Sequence, residues 1–287
     1  MKTKITKILI VAVLAVTLVF TLTACGGFRF GRSGGNNGTD TEQTDTGGGD
    51  TDNDEDDTPK YNLTIPFVSF GVDSWATVAA ISASGIANRY YNIGDEKTFN
   101  LTSGEPVTVL ILGFDHDNLS DGTGKAGITL GMKHLLARTA RMNATNTNVG
   151  GWAASEMRNT TFAEIYELIP ADLKAVIKTV DKSTNIGGGG TTVGITAERL
   201  FLFSNMEIAG STSWGAEGAQ YDWWKLNNTN ADRIKRMFNG HGNAASWALR
   251  SASSVGETQF RFVDTSGSTA SPSSATTLYG LCFGFCI

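Results

Sequence analysis

Cys282 and Cys286, four apart in "LYGLCFGFCI", are with Cys25 the only cysteines in 287 residues. Residues four apart in an extended strand lie roughly 13 Å from one another, too far for a disulfide. Among Leu, Phe and Ile the two thiols read as small buried apolar side chains, the alternative being a redox pair. His116, His134 and His241 are isolated, with neither the spacing of a zinc helix nor a G-x-S-x-G serine beside them. Asp115, Asp117, Asp121 and Gly122 depart from the D-x-D-x-D-G order of a calcium loop, and no bidentate Glu follows. They read as a polar hairpin loop. Gly187–Gly190 lacks the G-K-[ST] ending of a phosphate cradle. No catalytic residue, metal or cofactor is assigned on these grounds.

At the N-terminus Lys2, Lys4 and Lys7 precede an apolar run from Ile8 to Phe20, the pattern of a secretory signal. It closes on Leu22-Thr23-Ala24-Cys25, which resembles the bacterial lipoprotein box. The resemblance implies cleavage after residue 24 and acylation of Cys25. Each buried methylene of an acyl chain contributes about 0.8 kcal/mol, so this would hold the protein on the outer face of the cytoplasmic membrane. The alternative is an ordinary signal peptide with an incidental cysteine. Residues 25–59 carry nine acidic side chains against Arg29 and Arg32 and have no apolar periodicity. Such a segment is expected to be a disordered tether. Residues 60–287 are left near −1 of a total of −5, and nothing there suggests a nucleic-acid partner.

Those residues are expected to form one α+β domain. Asp73 or Ser74 caps a helix over 75–84, and "KTFNL", "EPVTVLILGF" and Gly127–Met132 read as strands. Trp152, Ser155, Met157 and Phe162 open a second helix, and "PADLKAVIKTV" reads as a third with Pro170 at its first turn. "ERLFLFSNMEIAG" reads as a strand entering a turn. "YDWWKLNNTNADRIKRMFNG" runs from an aromatic cluster into a helix on which Arg233, Lys235 and Arg236 form a solvated face. In "FRFVDT" alternation puts Phe260 and Phe262 inward and Arg261 and Val263 outward, with a turn at Ser266-Gly267.

The segments "GMKHLLARTARMNATNTNVGGWAASEMRNTTF", "IPADLKAVIKTVDKST", "ERLFLFSNMEI", "QYDWWKLNN", "SWALRS" and "GLCFGFCI" occur in that order. Together, over about residues 70–287, they resemble a family of bacterial surface domains of unknown function found in gut Firmicutes and their prophages. The family's closing motif has Val where Leu281 stands. The resemblance implies a loop-rich, C-type-lectin-like fold shared with formylglycine-generating enzymes, its C-terminal strands central. Trp152, Arg158, Trp247 and Arg250 would then be structural, with Arg250 satisfied by buried carbonyls or an acid such as Glu207.

Relatives of this kind often carry an Asn-rich stretch between the last two motifs, as in proteins diversified by retroelements that randomise adenines. An AAC or AAT codon changed at its adenines cannot give Lys, Glu, Gln, Met or Trp, and Asp264–Tyr279 contains none of these. Glu257 and Gln259 do not fit that pattern. The function implied is a non-catalytic surface domain that binds a macromolecular or glycan ligand through its C-terminal face. Its contacts would come from Trp247, Ser254, Glu257, Gln259, Arg261, Asp264, Ser268, Ser271, Ser274 and Tyr279. The alternatives are an oxidase-like enzyme using Cys282 or Cys286, and a structural surface protein with no ligand.

Overall fold

Helix α1 (Trp75–Ala83) begins where Ser74 takes extended backbone and its Oγ accepts from the Thr77 N–H at 3.1 Å. That satisfies one of the orphan donors of the first turn. This computed structural model describes residues 66–269 and 271–287; the leader, Cys25, the acidic tether and Ala270 lie outside the described residues. Trp75, Val78 and Ile81 turn one side of α1 into the core. After it, β1 (Glu96–Asn100) and β2 (Pro106–Phe114) form an antiparallel hairpin, and β3 (Ile128–Met132) pairs along β2. β4 (Thr139–Ala140) is two residues long.

The stretch opened by Trp152 is three pieces rather than one helix: α2 (Gly151–Ala154), a π-helical turn over Met157–Phe162, and α3 (Ala163–Glu167). Ser155 makes the break. Its backbone is extended, and its Oγ bonds back to the Trp152 carbonyl at 2.8 Å, in competition with the helical ladder. The helix expected from Pro170 also stops early, at α4 (Ala171–Lys174). Beyond it Val176, Ile177, Thr179 and Val180 are β-branched, and the chain extends into β5 (Val180–Asn185), paired with β6 (Val193–Glu198).

β7 (Phe201–Leu202) leads into α5 (Asn205–Ala209), a helix where a turn was expected. Ser204 and Glu207 form a capping box, each side chain taking the other's backbone N–H. The next expected helix is two, α6 (Asp222–Leu226) and α7 (Asn230–Arg233), and Lys235 and Arg236 lie beyond both. The solvated cationic face is therefore corrected: Arg233 and Lys235 are buried and only Arg236 is exposed. Carbonyls take their charge, with Lys235 Nζ donating to Met132 O at 2.5 Å and Arg233 Nη2 to Asn228 O at 3.2 Å.

The chain ends in β8 (Trp247–Ala252), β9 (Gln259–Val263), β10 (Pro272–Ser274), β11 (Tyr279–Gly280) and β12 (Phe283–Cys286). These make a mixed α and β fold with one sheet in the order β1-β2-β3-β12-β7 and another in the order β10-β9-β8-β11-β4. The last strands sit inside both sheets, β12 between β3 and β7 and β8 between β9 and β11. One row across the first sheet runs Leu110, Gly131, Gly284, Phe201. A Cβ on Gly131 would come within 2.8 Å of the Phe203 ring, so the bare glycine is what lets that ring lie there. No helix among the described residues is long and apolar enough to cross a membrane.

Candidate functional site

Two islands frame the C-terminal segment, β8 at the W-x-L-R-S motif and Leu281–Ile287 at the last motif, and both are core. All six residues of β8 and all seven from Leu281 to Ile287 are buried. Trp247 is wholly buried, and its Nε1 donates to the Arg233 carbonyl at 3.0 Å. It cannot stack on a ligand, so the binding role expected for it is replaced by a structural one. Arg250 donates to Leu202 O at 2.8 Å, Ser183 O at 3.1 Å and Glu217 O at 3.2 Å, and grips both Glu207 oxygens at 2.5 and 2.8 Å. Burial alone would push this guanidinium down, but Glu207 outweighs it and holds it above its usual range. Trp152 Nε1 and Arg158 Nε both donate to Glu198 Oε1, at 2.9 and 2.6 Å, so this structural pair shares one buried carboxylate.

A second ionic cluster lies beside the first. Lys182 Nζ donates to Asp117 Oδ1 at 2.6 Å and to Tyr221 Oη at 2.7 Å, and lies 2.5 Å from Glu207 Oε1. Asp117 also accepts from Thr129 at 2.8 Å. Burial would raise Asp117, yet Lys182 and His116 more than offset it and hold the carboxyl well below the usual range. Asp117 is therefore an interior anion rather than part of a polar surface loop. Nothing in the sequence reading singled out Lys182; the signal is its register in "VDKSTN", on the same buried side of β5 as Val180 and Thr184.

Between the islands the chain turns outward. Glu257 and Ser271 are exposed, as are Thr265, Ser266 and Thr276, and Val255 and Leu278 are 78% and 62% exposed. Ser254, Gln259, Asp264, Ser268, Ser274 and Tyr279 are half-buried. Asp264 Oδ1 accepts from the Ser266 hydroxyl at 2.6 Å and from the Ser266 and Ser268 N–H groups at 2.8 and 3.0 Å, which pull its pKa down. Ser274 Oγ donates to Asn146 at 2.7 Å, and the Tyr279 ring stacks on Phe262 at 4.7 Å. The turn falls at Ser266-Gly267, where Gly267 has φ +81° and a Cβ would lie 1.7 Å from Asn230 O. Gly267→Ala should therefore lower the unfolding free energy by about 1–3 kcal/mol, read by urea denaturation; an unchanged midpoint would contradict this tie to α7.

The alternation expected in "FRFVDT" needs two corrections. A register shift between Ala248 and Ala252 of β8 disturbs the pairing with β9, so Val263 faces the core with Phe260 while Phe262 is half-buried. Arg261 is buried rather than exposed. Its guanidinium lies 3.9 Å from the Trp214 ring centre and Nη2 donates to Thr269 O, and burial pushes its pKa down to about 10. It supports the face from beneath. The oxidase-like reading also falls, because Cys282 and Cys286 are completely buried and burial raises both thiols. Their sulfurs point to Met132 O at 3.5 Å and Asp117 Oδ2 at 3.4 Å.

No curated protein and no solved structure matches the chain. A family profile does match, over residues 126–287. That contains every quoted motif, from Gly131 on, but is narrower than the expected extent of about 70–287; β1 and β2, which complete the first sheet, precede it. With its frame of W-x-L-R-S and G-L-C-F-G-F-C buried in that span, the chain belongs to the family described as a domain of unknown function, DUF6273.

Proposed function

We propose that the protein is a surface lipoprotein, anchored through acylated Cys25, whose C-terminal domain binds a macromolecular or glycan ligand without catalysing a reaction. The observation that carries this reading is the contrast along one stretch of chain: two wholly buried islands, and between them hydroxyl, amide and apolar side chains at the surface. A binding face needs a backbone fixed by the core and side chains whose identity the core does not dictate. Of the residues expected to make contacts, Glu257, Ser271, Ser254, Gln259, Asp264, Ser268, Ser274 and Tyr279 remain with this face. A C-type-lectin-like fold is part of the proposal, supported by short elements joined by long loops and by C-terminal strands inside both sheets.

The reading extends to diversification of Asp264–Tyr279 by a retroelement. Sequencing downstream of the gene tests it: a reverse transcriptase and a near-copy of the gene's 3′ end with adenines at the variable codons are expected. Their absence would make the segment an ordinary exposed hairpin. Anchoring makes a separate prediction. Labelled palmitate should enter the wild-type protein and not Cys25→Ser; equal labelling of the two would contradict the anchor.

A further inference from the structure

A pocket of about 250 Å³ opens on the first sheet, on residues that the C-terminal face does not use. Leu110, Leu112 and Phe203 line it together with Gly131, which adds no side chain. Helix α6 contributes Trp223, half-buried, and Trp224, which is 2% exposed. The Trp224 indole N–H is buried and has no acceptor among the described residues. That N–H is closed off from the cavity, so Trp223 is the indole the pocket presents to a ligand.

The polar groups of the same pocket define which ligand it takes. Glu96 and Lys133 pair at 2.6 Å with both side chains about two-fifths exposed, and Asp232 adds a second carboxylate. His134 completes this set; burial and the ammonium groups of Lys235 and Lys133 push its pKa down, so near neutral pH its imidazole both donates and accepts. An anionic ligand would meet Glu96 and Asp232, and a cationic one would meet Lys133 and the buried Lys235. A purely apolar ring would leave these polar groups unmatched. Hydroxyl groups donate and accept at once, and a ring carrying them around its edge keeps an apolar body for the Trp223 indole.

We propose that this pocket binds one neutral sugar ring, its body against Trp223 and its hydroxyls shared among Glu96, Lys133, His134 and Asp232. The site is separate from the C-terminal face and does not depend on a ligand there.

Saturation-transfer NMR on the full-length protein tests it, with glucose, galactose, mannose and N-acetylglucosamine as probes and p-cresol and benzoate as apolar and anionic comparators. At least one sugar should show saturable transfer. Trp223→Ala should weaken it about tenfold or more through loss of the stacking surface. Glu96→Ala, at an exposed position that leaves folding intact, should weaken it about threefold or more through loss of an acceptor. Ser271→Arg, on the other face, should leave it unchanged. The proposal is overturned if no sugar gives saturable transfer, if only p-cresol or benzoate binds, or if sugar binding survives Trp223→Ala and Glu96→Ala unchanged. Loss of sugar binding in Ser271→Arg alone would instead assign the sugar to the C-terminal face.

Discussion

Arg250→Met is expected to lower the unfolding free energy by about 3–5 kcal/mol, a large fraction of the roughly 5–15 kcal/mol of an ordinary domain. The guanidinium is completely buried and reaches three carbonyls and both oxygens of Glu207. Methionine fills much of the same space but leaves Glu207 buried with Lys182 alone, and removes the donors to Leu202, Ser183 and Glu217. Arg250→Lys should rescue little, because a single ammonium cannot span a fork of acceptors. Arg250→Met combined with Glu207→Gln should recover part of the loss by removing the uncompensated charge. Urea denaturation measures all three. A loss below about 1 kcal/mol in Arg250→Met would show that the W-x-L-R-S island is not the support of the C-terminal face.

The second large effect is a dependence on pH. Glu217 is completely buried, and burial raises its pKa from 4.5 to about 7 despite Arg250 nearby and hydrogen bonds from Ser251 Oγ and, at 2.8 Å, from the Asn185 N–H. Its folded pKa lies above the unfolded one, so between the two the folded state binds more protons. The stabilising contribution is then fully present below pH 4.5 and is lost as pH rises through about 7. A shift of that size corresponds to roughly 3 kcal/mol as an upper figure. Asp117 acts the other way: its folded pKa lies below the unfolded value of 3.8, so its contribution is lost only as pH falls through the acid range. The two windows do not overlap. Urea unfolding from pH 4.5 to 8 should show falling stability in the wild type and a flatter profile in Glu217→Gln, which keeps the acceptor for Asn185. A wild-type profile flat over this range would contradict the buried, proton-holding role of Glu217.

How far the sequence could be read depended on whether local or distant groups decide the structure. The cap of α1, the strands β1 to β3 and the turn at Ser266-Gly267 are set by neighbours in sequence, and the spacing of residues predicts them within about a residue. The spacing predicts helices after Trp152 and Pro170 that are too long, because the Ser155 hydroxyl bonds back to the Trp152 carbonyl and the β-branched run to Val180 answers to its pairing with β6. The helix after Ser204 was missed although S-x-x-E was visible in "SNME".

Charge was harder to read than shape. Arg233, Lys182, Lys235 and Arg261 look like surface cations in sequence, and each is buried by carbonyls, carboxylates or an indole that other parts of the chain supply. Trp247 is expected both as a structural residue and as a stacking contact, and the strand it begins lies between two others, which leaves it no face for a ligand. Arg250 was read with its partner Glu207 only because the resemblance implied a buried arginine.

The central claim is that a face fixed by buried islands binds a ligand. The direct measurement is binding of the detergent-solubilised full-length protein to an array of glycans and extracellular proteins, beside a variant carrying Ser271→Arg, Thr276→Arg and Leu278→Arg at exposed positions of the face. The account predicts that the parent binds one or a few members of the array, and that the variant loses this binding while unfolding at the same urea midpoint. Binding unchanged in the variant, or no binding by the parent, would contradict it.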